Sequence, residues 1–187
     1  MSGAESPSGT GRILAYLGGI RSGKSALAQA RFSAEVERLG LHSPAYLGTL
    51  LSGEAGEDPE LARRLAAHRA VRPWNWSGIE VGRDLEAAAA LCARQGHDAW
   101  LLDGLGAWAA LNLDQGPAPH AALRRFLELA RRAPLALLVL DEVGQGGVGG
   151  NPAARAFADL NGELNQAVFA SADEAWTVQA GIGVRVR

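Results

Sequence analysis

Lysine is all but missing from this chain: seventeen arginines stand against a single lysine, Lys24. A solvated surface cation can be either residue. A compact ammonium that must enter a tight backbone nest cannot be exchanged for a planar guanidinium without changing the geometry. The one lysine that remains therefore marks a position where shape matters. Cysteine is nearly absent too. Cys92, the only one, lies in the apolar run Leu85-Glu86-Ala87-Ala88-Ala89-Ala90-Leu91-Cys92, so it forms no internal disulfide and reads as a small buried residue. That usage suits a reducing compartment, and a cytoplasmic location is expected. No run of 18 apolar residues occurs, which leaves nothing to span a membrane as a helix. A basic excess is lacking as well. The formal charge is −2, without the electrostatic footprint of a nucleic-acid binder.

What is present is an ordinary globular composition, 48% hydrophobic and 20% charged over 187 residues, enough for one domain with one core. Residues 1–11 are small and polar with no apolar centre, and are expected to be a disordered lead-in and not a targeting peptide. Residues 12–187 are then a single domain. Short apolar runs alternate with helical patterns. Strands are expected at Ile13–Leu17, Ala45–Leu47, Ala99–Leu102, Leu135–Leu140, Glu174–Val178 and Val184–Val186. Helices are expected at Lys24–Leu39, Pro59–Arg69, Leu85–Arg94, Ala107–Leu113, His120–Arg132 and Pro152–Ala170. Residues 52–58 and 144–150 read as loops, and 71–77, with Pro73 and two tryptophans, as irregular. The pattern predicts an α/β fold, a mostly parallel sheet with helices on both faces. Gly18, Thr49, Asp103 and Glu142 each follow a strand, so they should meet at the carboxyl edge of the sheet, where such folds bind ligands.

Gly18-Gly19-Ile20-Arg21-Ser22-Gly23-Lys24-Ser25 places Gly-Lys-Ser five residues after a first glycine, behind a strand and at the opening of a helix. This is the context of a P-loop. Its glycines let successive N–H groups turn towards a phosphate, and the helix N-terminus adds about half a positive charge. Lys24 would reach the terminal phosphates and the Ser25 hydroxyl would ligate Mg²⁺. A carboxylate is needed beside the metal. Asp103 closes the run Ala99-Trp100-Leu101-Leu102 and suits that place, although it could instead cap the next turn. Asp141-Glu142, ending another strand, compete for the role.

From these residues onward the chain resembles the bifunctional adenosylcobinamide kinase/adenosylcobinamide-phosphate guanylyltransferases of cobalamin biosynthesis. The likeness runs from Ile13-Leu14-Ala15-Tyr16-Leu17 and the P-loop through Ala45-Tyr46-Leu47-Gly48-Thr49 and Arg64-Leu65-Ala66-Ala67-His68-Arg69. It continues in Arg72-Pro73, Trp76, Glu80, Leu101-Leu102-Asp103 and Trp108. It is densest at Glu142-Val143-Gly144, with Arg155, Phe157, Asp159, Gly162, Asn165 and Gln166 further on. The resemblance covers roughly residues 12–187. It implies a P-loop NTPase (RecA-like) sheet with antiparallel strands at the C-terminal edge. It implies phosphorylation of the adenosylcobinamide hydroxyl with ATP or GTP, then transfer of GMP from GTP through a guanylyl-histidine at His68. Neighbouring Arg69 and Arg72 would hold phosphates, Glu80 would meet guanine or ribose, and Thr49 would lie beside the nucleotide. A homotrimer is implied by the same analogy.

Read without the resemblance, His68 could equally be a surface residue at a helix end, and Glu80 a solvated carboxylate. His42, His97 and His120 are expected in solvent. Trp74 and Trp76 could pack on the corrin side or on the core, and the core is the expectation. The chain departs from the family pattern after Asp103, where Gly104-Leu105-Gly106 replaces a bulkier polar sequence, and at Phe157-Ala158-Asp159, where a cation is lost.

Overall fold

A computed structural model describes residues 11–49, 75–116, 118–145, 147 and 150–187. The expected lead-in, except Gly11, lies outside them. So do the loop at 52–58, the helix expected at Pro59–Arg69 and residues 71–74. Gly11 belongs to the packed body, since it is buried and its N–H donates to the Arg131 carbonyl at 2.9 Å.

The described residues form seven strands: β1 (Arg12–Gly18), β2 (Pro44–Gly48), β3 (Ser77–Glu80), β4 (Ala99–Asp103), β5 (Leu135–Asp141), β6 (Glu174–Gln179) and β7 (Ile182–Arg185). The helices among them are α1 (Lys24–Leu39), α2 (Leu85–Arg94), α3 (Leu105–Leu111), α4 (Ala118–Ala130) and α5 (Pro152–Ser171). The strands make one sheet in the order β3-β2-β4-β5-β1-β6-β7. All neighbours pair parallel except β6 with β7 at the C-terminal edge.

Alternation along β1 explains the layers. Ile13 and Ala15 face a core shared with α2 to α5, whereas Leu14 and Tyr16 face α1 through Ala28, Phe32 and Val36. A central parallel strand is covered on both faces and so reads as continuously apolar. Phe32 is fully buried and meets Trp76 edge-on, with ring centroids 4.9 Å apart. Truncating it to alanine would cost about 3–5 kcal/mol. Trp76 thus joins the core, as expected; Trp74 lies outside the described residues.

An ion cluster fixes the far half of α1 against the sheet. Arg12 on β1 bonds Glu35 of α1 at 3.1 Å and also Glu174 at the start of β6. Arg31 and Arg38 close on the same Glu35 at 2.9 and 2.6 Å. Burial alone would raise the Glu35 carboxyl. The Arg38 hydrogen bond and the charges of Arg31, Arg38 and Arg12 outweigh it and hold the group below its ordinary range.

Three expectations need correction. β3 occupies Ser77–Glu80, where an irregular segment had been expected as far as residue 77. It pairs parallel to β2, and the signal is weak because Ser77-Gly78 lacks β-branched or aromatic character. Both α3 and α4 start and stop two residues early. In α3 the cause is Gly104, whose left-handed φ of 95° makes it the N-cap. In α4 it is Pro119, accommodated in the first turn. His97 is buried, not solvated: Nδ1 lies 2.9 Å from Ser43 Oγ and Nε2 3.1 Å from Gln95 Oε1. His42 is exposed, and half-buried His120 pairs with Glu163.

Candidate active site at the phosphate loop

The carboxyl ends of β1, β5, β4 and β2 bring Gly18, Asp141, Asp103 and Thr49 to one edge, with Gly18 in register with Asp141 and Gly48 with Asp103. Between β1 and α1 the chain makes a tight turn. Arg21 and Gly23 both have positive φ, 57° and 89°. Ser22 N–H donates to the Gly19 carbonyl at 3.2 Å, and the Ser22 hydroxyl accepts from Lys24 N–H at 3.4 Å. Gly18 must lack a side chain, because a Cβ there would stand 2.5 Å from Ser22 Oγ and 2.7 Å from the Val178 carbonyl.

Helix α1 begins without a side-chain cap and without an acid in its first turn. Its first N–H groups and the positive end of its dipole are therefore left to a ligand, and an anion suits them. Lys24 curls back over this end. Its ammonium donates to the Gly19 carbonyl at 3.2 Å and pairs with Asp141 Oδ1 at 2.9 Å. The Ser25 hydroxyl faces Asp103, donating to Oδ1 at 3.4 Å, while Tyr46 donates to Oδ2 at 2.9 Å. A hydroxyl and a carboxylate so placed fit a P-loop Mg²⁺, which takes its remaining ligands from phosphates and water. No cluster of three acidic, His or Cys side chains able to hold a metal unaided exists among the described residues.

The geometry divides the competing carboxylates. Asp103 stands with the candidate metal hydroxyl, and Asp141 stands with the lysine. Asp141 is the functional candidate that sequence reasoning left without its own role. Several contacts hold it. Asn161 and Asn165, one turn apart on α5, both donate to its carbonyl, at 2.8 and 3.0 Å. Glu142 N–H donates to the Gly18 carbonyl at 2.9 Å. On α3, a Cβ at Gly106 would come within 2.6 Å of Asp141 Oδ2, so the missing side chain there makes room for the carboxylate.

Thr49 is buried, and its hydroxyl donates to the Gly104 carbonyl at 2.6 Å, which ties the end of β2 to the turn after β4. Glu80 is exposed at the end of β3, in register with Gly48. Both lie on the β2 flank of the site, Thr49 three strand spacings or about 14 Å from β1 and Glu80 four spacings or about 19 Å. His68, Arg69 and Arg72 lie outside the described residues. Cys92 is fully buried, with its thiol pushed up to about 12 by burial, and takes no part in the site.

A phosphate cradle between a central parallel strand and a helix, facing a strand-end aspartate, defines a P-loop nucleotide-binding protein. Solved structures agree on the fold. The flagellar accessory protein FlaH of Methanocaldococcus jannaschii matches with a TM-score of 0.51 at 13% identity, covering 90% of this chain and 71% of that one. A KaiC-like protein of Pyrococcus horikoshii matches with 0.50 at 14%, with the same coverage. Sequence narrows the class. The bifunctional adenosylcobalamin biosynthesis protein CobU of Salmonella typhimurium is 32% identical over 94% of this chain and 99% of its own. The CobU protein of Escherichia coli is 30% identical with the same coverage. The CobP protein of Pseudomonas aeruginosa is 32% identical over 89% of this chain and 92% of its own. The family described as cobinamide kinase/cobinamide phosphate guanyltransferase matches residues 14–186, and the chain belongs to it.

Proposed function

We propose that one P-loop serves both reactions of this bifunctional kinase and guanylyltransferase of cobalamin biosynthesis. In the first, the terminal phosphate of ATP or GTP passes to the side-chain hydroxyl of adenosylcobinamide. In the second, the imidazole of His68 attacks the α-phosphorus of GTP, pyrophosphate leaves, and the cobinamide phosphate then takes GMP from the histidine. The observation that carries the reading is the pairing of Lys24 with Asp141 and of Ser25 with Asp103 at the uncapped start of α1, within a family match that covers nearly the whole chain.

Each residue has a definable task. The loop N–H groups and Lys24 hold and neutralise the phosphates, and phosphoryl transfer depends on such positioning and charge stabilisation. Ser25 and Asp103 would hold Mg²⁺, which supplies charge neutralisation between the terminal phosphates when bound. Tyr46, by donating to the outer oxygen of Asp103, keeps the inner one turned to Ser25. His68 acts as a nucleophile, and Arg69 and Arg72 stabilise the phosphate oxygens around it. Thr49 acts through the backbone that it ties down, and Glu80 offers a carboxylate to guanine or ribose. The reading also takes the protein to be cytoplasmic and a homotrimer, the latter from the family resemblance alone.

The test is incubation with GTP labelled at the α-phosphate. Acid-labile GMP should appear on the protein and disappear in His68→Ala. Label that persists in that variant, or never forms, overturns the guanylyl-histidine.

A further inference from the structure

A phosphoryl donor seated in this loop has a direction. The groups that take its terminal end lie on one side of β1. Lys24 leans to Asp141 at the end of β5, and Ser25 faces Asp103 at the end of β4. Both strands are on the same side in the sheet order β4-β5-β1-β6. A P-loop lysine and its metal engage the β- and γ-phosphates. In the phosphoryl donor, whose γ-phosphate is the reacting end, the α-phosphate then leaves the loop on the opposite side, over β6.

A cavity of about 430 Å³ runs along the loop from Glu142 and Gln145, which follow β5, past Gly18-Gly19 and over to Thr177 and Gln179 of β6, so that it reaches that side. Small-molecule sites span about 300–1,000 Å³. Ile20 forms part of its wall and is 78% exposed, an apolar side chain at the loop tip with no packing duty in the core. A flat heterocycle laid there would cover it. Around it stand Glu142, Gln145, Thr177 and Gln179. Two side-chain amides give donors and acceptors for the edge of a base, and the hydroxyl and carboxylate accept from ribose hydroxyls or an exocyclic amine.

We propose that this cavity seats the base and ribose of the phosphoryl donor, with its phosphates in the P-loop. It is separate from the β2 flank, where Glu80 and Thr49 lie and where the family resemblance places the guanine nucleotide. The inference rests on the two-reaction reading above. One loop then serves two nucleotides that lie in opposite senses, one for each reaction. The two bases are selected by different residues.

Equilibrium binding to the full chain with Mg²⁺ tests this without turnover. Wild type should bind the adenosine triphosphate analogue AMP-PNP at least tenfold more tightly than tripolyphosphate, which has the charge but no nucleoside. Gln179→Trp, which fills the cavity, should bring that ratio close to one. Ile20→Ser, at the exposed loop tip, should lower it severalfold and decides the matter if the bulkier variant does not fold. A ratio near one in wild type, or a ratio unchanged in the variants, overturns the cavity assignment. So does a ratio lost in Glu80→Ala and kept in Gln179→Trp. Loss of the guanylyl-enzyme in the labelling assay, with the binding ratios as expected, would instead overturn the two-reaction reading and leave this site standing.

Discussion

The ammonium of Lys24 and the carboxylate of Asp141 form a 2.9 Å ion pair in which the lysine is nearly buried and the aspartate about one-third exposed. The same ammonium is the group a P-loop offers to phosphate. Asp141 thus takes, at the lysine, the place that a phosphate oxygen would take, and an incoming triphosphate must displace it.

Asp141→Asn removes the competing charge and keeps the shape. Magnesium-loaded triphosphate should bind about fivefold more tightly, the equivalent of ~1 kcal/mol for a partly exposed pair. Calorimetric titration with a non-hydrolysable analogue measures this. Weaker binding would mean that Asp141, not Asp103, carries the metal.

Gly106→Ala adds a methyl group 2.6 Å from Asp141 Oδ2 and 2.8 Å from its Cβ. In a helix interior this exchange ordinarily stabilises by about 1 kcal/mol. Here the collision should dominate and leave the protein about 1–3 kcal/mol less stable. Urea unfolding reads the sign directly, and a more stable variant would sink the claim that Gly106 makes room for the carboxylate.

Glu35→Gln addresses the ion cluster at the other end of α1. The Glu35 carboxyl titrates below its ordinary 4.5 in the folded protein. Its contribution is therefore fully present above that value and is lost as the pH falls through the lower folded-state value. The variant should be less stable by about 2 kcal/mol at neutral pH. The deficit should shrink as the pH falls below 4.5. Thermal melts at neutral and acid pH would show the two curves converging; a constant gap would assign the effect to packing.

Cys92 should be chemically silent in the folded state. With its thiol raised to about 12 and no exposed surface, almost none is thiolate at neutral pH. A thiol reagent should react with one equivalent in denaturant and far more slowly in native buffer. Equal rates would contradict the burial.

Much of the fold was legible because the informative signals are local. The β1–loop–α1 unit shows in Ile13–Leu17, the glycines and the stop at Gly40, and both predicted ends of α1 hold. Leu85–Arg94 is likewise matched residue for residue, with Asp84 accepting from Ala87 N–H as its cap. What stayed hidden depends on contacts between distant segments. Asp141 and Lys24 are 117 positions apart, and no spacing rule links them. His97 looks like a loop histidine until Ser43, on the turn before β2, closes over it. β3 is a strand because β2 offers it an edge, not because Ser77-Gly78 favours one. The order of the strands, which sets the two flanks of the phosphate loop, likewise cannot be read from any one segment.

The phosphate loop is also tied to the far end of the fold. The N–H of Gly181, in the turn between β6 and β7, donates to the Ser22 carbonyl at 2.7 Å, and a Cβ on Gly23 would press against the Gly181 Cα at 3.0 Å. On the ribosome, residues 18–25 emerge long before residues 174–185. The segment made early thus waits for one made late before its shape is braced. A nascent chain stalled before β6 should hold nucleotide poorly even with its P-loop residues complete, so competence to bind arrives near the end of synthesis.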